Sequence, residues 1–583
     1  MKRAGKLRAS QIVTQFGPGC LVDLPELSMV LAGLDDWNTT TSWVVKEPRL
    51  QRALGVRHFR TPPYLDVAKE LGGVPARVFP RFLVCPRCNL LAPHSDFEFT
   101  ERGSRHICRA GDCSGNGKAR AFPARFMVAC PKGHLDDFPW HHWVHPDIAD
   151  CNSRLRFEDS AKTGSLSDLS IFCNDHQRRM SLASAFGKAG ASRLPACSGN
   201  RPWLSDHDPE PCDKGLRVLL RGASNAYFAV TASALSIPPW SNPLQSTVAQ
   251  HETEMAKADS LDGLKNALKY GNYPDLEAFD PEQIWSALQQ LRGVDEEDEV
   301  DLRIDEYQAF VGATGPADYR SEFKVVPIAR PASADGVLDK VIKAVRLREV
   351  RALRGFTRID SIPDIGEMGE VSALEAGLAP LATQPLDWLP GAEMSGEGIF
   401  VTLDSSALEN WESDPNVVRY NKESADAQRS WHAARGAIVD PKSARFSLVH
   451  SLAHLLIRRL ELEAGYAGSS IRERIYVGDD MAGFLIYTAT PDSEGTLGGL
   501  VELARPEDLG PMLDRAFEGA KLCANDPFCS SRQASDAASH LNGAACHACL
   551  LLPETSCEHG NHFLDRTLVV PTLRQSGVPF VNR

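Results

Sequence analysis

The chain has 583 residues, 43% of them hydrophobic and 24% charged, with a formal net charge of −13. That length exceeds one hydrophobic core and predicts three or four domains, and the composition excludes a disordered chain. The acidic balance excludes a protein coated in positive charge, so any nucleic-acid contact must be local or belong to a partner.

The basic start Met1-Lys2-Arg3 has no apolar stretch behind it, which argues against a secretory signal. No run of about 18 uncharged apolar residues occurs, so no membrane span is expected. There are 15 cysteines, several in short C-x2-C-like pairs. In a reducing compartment these read as metal ligands rather than disulfides, which places the chain in the cytoplasm.

Residues 1–80 form an N-terminal segment. Gly17-Pro18-Gly19 predicts a tight turn; a phosphate cradle is the alternative, but no Lys-Ser or Lys-Thr follows. Cys20 stands alone and reads as structural. Leu27 to Leu34 reads as a short apolar helix or strand.

Residues 81–215 form a Cys-rich zinc-binding region. Cys85, Cys88, Cys108 and Cys113 have the spacing of two hairpins that each donate two thiolates, a zinc-ribbon-like closed site for Zn²⁺. The stretch from Val128 to Trp143 holds Cys130, His134, Asp137, His141 and His142. It reads equally well as a second metal site or as a turn packed by Trp140 and Trp143. Cys173, His176, Cys197 and Cys212 form a looser ligand set, with Cys151 as an alternative member.

Residues 216–369 form a mixed α/β middle region. Leu216 to Leu220 and Ala226 to Thr231 read as strands, Val248 to Tyr270 as helical, and Asp295 to Glu299 as a solvated acidic run. Glu322-Phe-Lys324 faintly has the form of a nuclease E-x-K, but no acidic partner sits at a convincing distance upstream. Between Asp339 and Arg358 arginines recur among Val, Leu and Ile. In a strand Arg346, Arg348 and Arg354 share a face; in a helix Arg351, Arg354 and Arg358 align. The helical set is the candidate DNA-binding row, able to track phosphates along one backbone. A solvated face of the fold is the equal alternative.

Residues 370–583 form a C-terminal α/β domain. Phe446 to Leu460 is apolar on most of its circumference and predicts a buried helix stopped by Gly465. His450 and His454 share one face of it, but the Glu of H-E-x-x-H is missing, so they read as satisfied core histidines. Strands are expected at Arg474 to Val477 and Phe484 to Thr488. A glycine-rich corner from Ser493 to Leu500 leads to a helix at Glu507 to Lys521. The Cys cluster then offers five candidates for four zinc positions: Cys523, Cys529, Cys546, Cys549 and Cys557, with the tight Cys546/Cys549 pair wrapping one side of the ion. The expected fold class is α+β and multidomain. No P-loop is present: the nearest stretch, Asp112 to Ala119, lacks the first Gly and the hydroxyl that holds Mg²⁺. No G-x-S-x-G elbow occurs either.

Several of these stretches together resemble the DrmB family, helicase-partner subunits of the DISARM anti-phage systems. They are Ser10-Gln11 with Gly17-Pro18-Gly19, Cys130 to Trp143, the His450–His454 helix, Glu494-Gly-Thr-Leu-Gly-Gly499, and Cys546-His-Ala-Cys549 through Leu564-Asp565-Arg566. The part from Phe446 onward also resembles the zinc-binding domain of MrfA-type superfamily-2 helicases. That domain's closing motif falls on Cys546, Cys549, Cys557, Asn561 and Leu564-Asp565, with Cys523 or Cys529 as the remaining ligand. The resemblance implies a non-catalytic partner of a DrmA-like helicase that helps the complex engage foreign DNA. The competing expectation is a metal-dependent hydrolase or nuclease using His450, His454 and Glu494.

Overall fold

The computed structural model describes residues 5–24, 27–66, 71–100, 105–110, 113, 119–148, 151, 153–160, 165–204, 209–238, 244, 247–248, 251–255, 258–271, 273–277, 279–292, 301–313, 322–360, 378–434, 440–489, 499–533, 541–573 and 578–582. The acidic run at 295–299, the pseudo-P-loop at 114–118 and the glycine-rich corner at 490–498, Glu494 included, lie outside these residues.

The Cys-rich region is built from strands of three to five residues. Eight of them form one antiparallel sheet in the order Glu98–Thr100, Arg105–Ile107, Arg120–Pro123, Phe82–Val84, Leu90–Pro93, Leu155–Asp159, Leu169–Cys173, Arg178–Ser181. A second sheet joins Leu135–Asp137, Phe126–Ala129 and Arg217–Leu220. Phe126, Phe138, Trp140 and Trp143 fill the core of this region. Both tryptophans do pack the turn, as one of the two readings expected.

The other large sheet runs Phe228–Leu235, Leu338–Thr357, Trp388–Leu403, Met481–Thr488, Ile471–Gly478. Lys324–Ile328 pairs on the 338–357 strand, and His58–Arg60 adds in parallel beside Trp388–Pro390. The sheet therefore takes strands from residues 1–80, 216–369 and 370–583 alike. Helix Ala444–Ala464 lies against the 471–488 hairpin. Ser443 caps its start by accepting from the Phe446 N–H at 3.2 Å, and Gly465, with φ of 69°, ends it. Leu448, Val449, Ala453, Ile457 and Leu460 are fully buried, and a buried Leu, Val or Ile contributes about 1.5–3 kcal/mol. Among the described residues no helix is long and apolar enough to cross a membrane.

The basic stretch is a strand, Leu338–Thr357, up to Arg358 just past its end, which overturns the helical register. It is buried on both faces over much of its length, so apolar residues come in adjacent pairs such as Val341-Ile342 and Ala352-Leu353, and bulges shift its register. That pattern imitates a helix. Arg351, Arg354 and Arg358 consequently form no exposed row. Arg351 is half-buried and paired with Glu349 at 2.7 Å; Arg354 is half-buried. Arg358 is 1% exposed. Its Nε donates to the Gly133 carbonyl at 2.9 Å and Nη2 to the Gly19 carbonyl at 2.7 Å, while Nη1 donates to the Ala226 carbonyl. Burial pulls its pKa down to about 10. The Gly17-Pro18-Gly19 turn is real: Gly19 has φ of 83°, and a Cβ there would sit 2.5 Å from the Phe356 ring. Residues 17–20 are buried against the long strand, so the turn has no room to cradle a phosphate.

Arg358→Gln leaves three buried carbonyls short of donors, at about 1–3 kcal/mol per unsatisfied group. The expected outcome is an unfolding free energy from urea titration lowered by on the order of 3 kcal/mol or more, with the salt slope of DNA binding by the folded assembly unchanged. A normal midpoint with a reduced slope would return this arginine to the DNA surface.

Candidate metal centres

All cysteines are free thiols, and among the described residues 14 of the 15 fall into five groups of potential ligands. The exception is Cys20, buried with its thiol pushed up to about 12 by burial, which fits its structural reading.

The first group is Cys85, Cys88, Cys108 and Cys113. The turn between strands Phe82–Val84 and Leu90–Pro93 presents the first pair, and the connection between Arg105–Ile107 and Arg120–Pro123 presents the second. Cys85 and Cys113 sulfurs are 3.6 Å apart and those of Cys88 and Cys108 3.7 Å. A tetrahedral zinc with Zn–S of about 2.3 Å holds its sulfurs about 3.8 Å apart, so the cage has the size of the ion. This is the two-hairpin arrangement that the spacing predicts.

Cys173, His176, Cys197 and Cys212 do not form one site. They divide between two. Cys197 and Cys212 join Cys130 and His134; Cys173 and His176 join His145 and Cys151. In the first of these, Cys130 and His134 flank the turn between strands Phe126–Ala129 and Leu135–Asp137, and the other pair comes from the loop before Arg217. His134 Nδ1 is 3.4 Å from the Cys130 sulfur and 3.5 Å from that of Cys197, and Cys130 lies 3.9 Å from Cys212. His134 Nε2 points to Glu210 at 3.5 Å, the outer carboxylate that orients a metal-bound imidazole. In the second, His176 Nδ1 is 3.4 Å from Cys173 and 3.6 Å from Cys151. His145, 1% exposed, has no hydrogen-bond partner on either ring nitrogen. A buried imidazole is expected to be satisfied, and a cation among these four groups satisfies it. The sequence carried a signal for the first of these: Cys130-Pro131 sits between two strands as Cys85-Pro86 does, so the same knuckle occurs twice.

The C-terminal tetrad is Cys523, Cys529, Cys546 and Cys549. Its sulfurs are 3.5 Å (Cys523–Cys546), 3.7 Å (Cys529–Cys549) and 3.7 Å (Cys546–Cys549) apart. The Cys529 thiol is brought down to about 6, chiefly by its hydrogen bond with Cys549, with the Arg566 guanidinium also lowering it. Both upstream candidates therefore belong to the tetrad, and Cys557 does not. It lies instead against the imidazole of His450, its sulfur 3.3 Å from Nε2. His450 and His454 are fully buried, and both imidazoles face Glu473 on strand Ile471–Gly478, while His450 Nδ1 has no hydrogen-bond partner.

Each of the four Cys-rich groups could supply four protein ligands, which would leave no open position for water; zinc held in that way would be structural and would supply folding free energy of about 10–16 kcal/mol per site. Cys88→Ser is expected to remove one zinc per chain and unfold its knuckle. Cys173→Ser combined with Cys197→Ser is expected to remove two, where a single shared site would lose one. Metal analysis of the full-length variants decides between these counts.

Residues 8–228 match a family described as a domain of unknown function (DUF8724), and residues 452–550 match the MrfA Zn-binding domain. The second match contains the thiol tetrad. A curated protein of Bacillus paralicheniformis, DISARM protein DrmB, is 31% identical over 582 residues, covering 95% of this chain and 98% of that one. At that identity and coverage the likeness runs through both metal-bearing regions and the sheet between them, and the chain belongs to the DISARM DrmB family.

Proposed function

We propose that this chain is a non-catalytic, zinc-braced partner subunit of a DrmA-like superfamily-2 helicase, working in the cytoplasm in DISARM anti-phage defence. The observation that carries the reading is the nearly end-to-end similarity to DISARM protein DrmB. The chemistry of the chain agrees with it. Zinc is the cofactor, held at Cys85/Cys88/Cys108/Cys113, Cys130/His134/Cys197/Cys212, His145/Cys151/Cys173/His176 and Cys523/Cys529/Cys546/Cys549. Closed thiolate-rich sites brace hairpins and activate no water. The sequence offers no phosphate-binding loop to drive strand separation.

DNA enters this reading through the assembly. A net charge of −13 gives the chain no long-range attraction for phosphate, and Arg351, Arg354 and Arg358 are turned into the fold. Residues 81–215 act as a metal-braced module, and the part from Phe446 onward as the helicase-associated module.

The isolated chain is expected to hydrolyse no ATP. With its helicase, hydrolysis appears and depends on nucleic acid. A purified chain that turned over ATP alone at an ordinary rate, on the order of 1–10³ s⁻¹, would overturn the partner reading.

A further inference from the structure

The tetrad of residues 523–549 leaves Cys557 to a different neighbourhood. His450 and His454 stand one turn apart on helix Ala444–Ala464, Glu473 comes from the adjacent strand, and Cys557 from the closing segment. We propose that these four residues form a fifth, fully enclosed metal site that takes a divalent cation of the zinc class and staples helix, sheet and C-terminal segment together.

The geometry is that of a ligand cage. One ligand atom from each residue lies within 4.8 Å of the others. His450 Nε2 is 2.9 Å from Glu473 Oε1 and 3.3 Å from the Cys557 sulfur; His454 Nε2 is 3.2 Å from Glu473 Oε2. Around a tetrahedral zinc, nitrogen and oxygen ligands sit about 3.3 Å apart and nitrogen and sulfur about 3.6 Å.

The tautomer of His454 supplies the second argument. Its Nδ1 lies 2.8 Å from the Leu550 carbonyl. A carbonyl only accepts, so Nδ1 carries the proton. In the neutral ring Nε2 then presents a lone pair, and it faces the lone pairs of a carboxylate. Without a cation between them that contact is repulsive. With one, it is the arrangement of a metal-bound imidazole oriented by an outer carbonyl. The Cys557 sulfur accepts backbone N–H groups from His559 at 3.4 Å and Asn561 at 3.2 Å, as the Cys197 sulfur does from Gly199 at 3.4 Å.

Charge balance is the third. His450, His454 and Glu473 have no solvent exposure and Cys557 has 7%. Among the described residues the ion-pair partners of Glu473 are the two histidines, with no lysine or arginine. A buried carboxylate needs a compensating charge. A dication balances carboxylate and thiolate together, and imidazole with thiolate favours zinc over magnesium or calcium. Full enclosure makes the site structural.

The competing arrangement is a metal-free imidazolium–carboxylate pair. Full-length holoprotein with its zinc exchanged for ¹¹³Cd separates the two, because the cadmium resonance moves upfield as sulfur ligands are replaced by nitrogen and oxygen. The expected spectrum contains one resonance far upfield of those from the sites with two to four thiolates. His454→Gln and Cys557→Ser should each abolish it and lower the bound metal by one per chain, with the remaining resonances kept. A wild-type spectrum without that resonance overturns the site, and so do folded variants with unchanged metal content. If neither variant folds, the wild-type spectrum alone decides.

Discussion

The antiparallel ladder between strands 338–357 and 388–403 is the interaction that the rest of the molecule hangs on. Twenty residues at about 3.3 Å each give a strand about 66 Å long. Along that length it feeds successive cores. Val341 packs with Ile399 and Val401 under the 444–464 helix; Ile342, Ala344 and Leu347 meet Phe400 and Tyr487. Val350 and Ala352 meet Leu50 and Phe59, and Leu353 and Phe356 reach the N-terminal turn beside Trp203. Segments hundreds of residues apart in sequence thus share one backbone, and Arg358, just past its end, ties the turn at Gly19 to the Cys130–His134 knuckle.

A strand buried on both faces forces its charges into pairs. Arg348 is held by Glu47 at 3.5 Å, by Glu322 at 3.5 Å and by Glu393. Next to it Glu306, fully buried, takes Arg474 at 2.6 Å, the Tyr476 hydroxyl at 3.0 Å and Arg49 at 3.4 Å. Such pairs add little net stability over apolar side chains, but removing one partner costs about 3–5 kcal/mol because the other is left charged and dry. Their effect is to fix which segment docks where: Glu47 and Arg49 from the N-terminal segment have one place in this sheet.

The sequence made some of this legible and concealed the rest for identifiable reasons. The 85–113 cage could be read because all four ligands lie in two compact pairs whose hairpins are local. The long apolar helix, the hairpin after it and the helix ending before Lys521 were visible through periodicity. Ligand assignment failed where pairs come from distant segments: Cys173 keeps its neighbour His176, but Cys197 lies against His134, 63 residues upstream, and Cys173 is joined by His145 and Cys151. Cys557 followed Cys549 so closely that it read as one cluster, although the segment between them carries it away from the tetrad and against His450. The arginine stretch misled because a doubly buried, bulged strand loses its alternation, and three- and four-residue spacings then mimic a helix.

The same physics explains why metal should be concentrated where it is. Strands of three to five residues, as in the 82–181 sheet, bury too little apolar surface on their own to repay the entropy of ordering them. A four-ligand cation cross-links two turns at once and does not need a thick core. The C-terminal region differs, since it already has a 21-residue helix packed on a long hairpin. There a thiol tetrad orders the loops beyond the helix at 506–520, while the His450, His454, Glu473 and Cys557 group sits under that core and joins its layers. Two kinds of bracing in one domain imply different lability. The half-exposed tetrad residues Cys523 and Cys549 leave an approach for a chelator, whereas the enclosed group can release a cation only if the core around it opens.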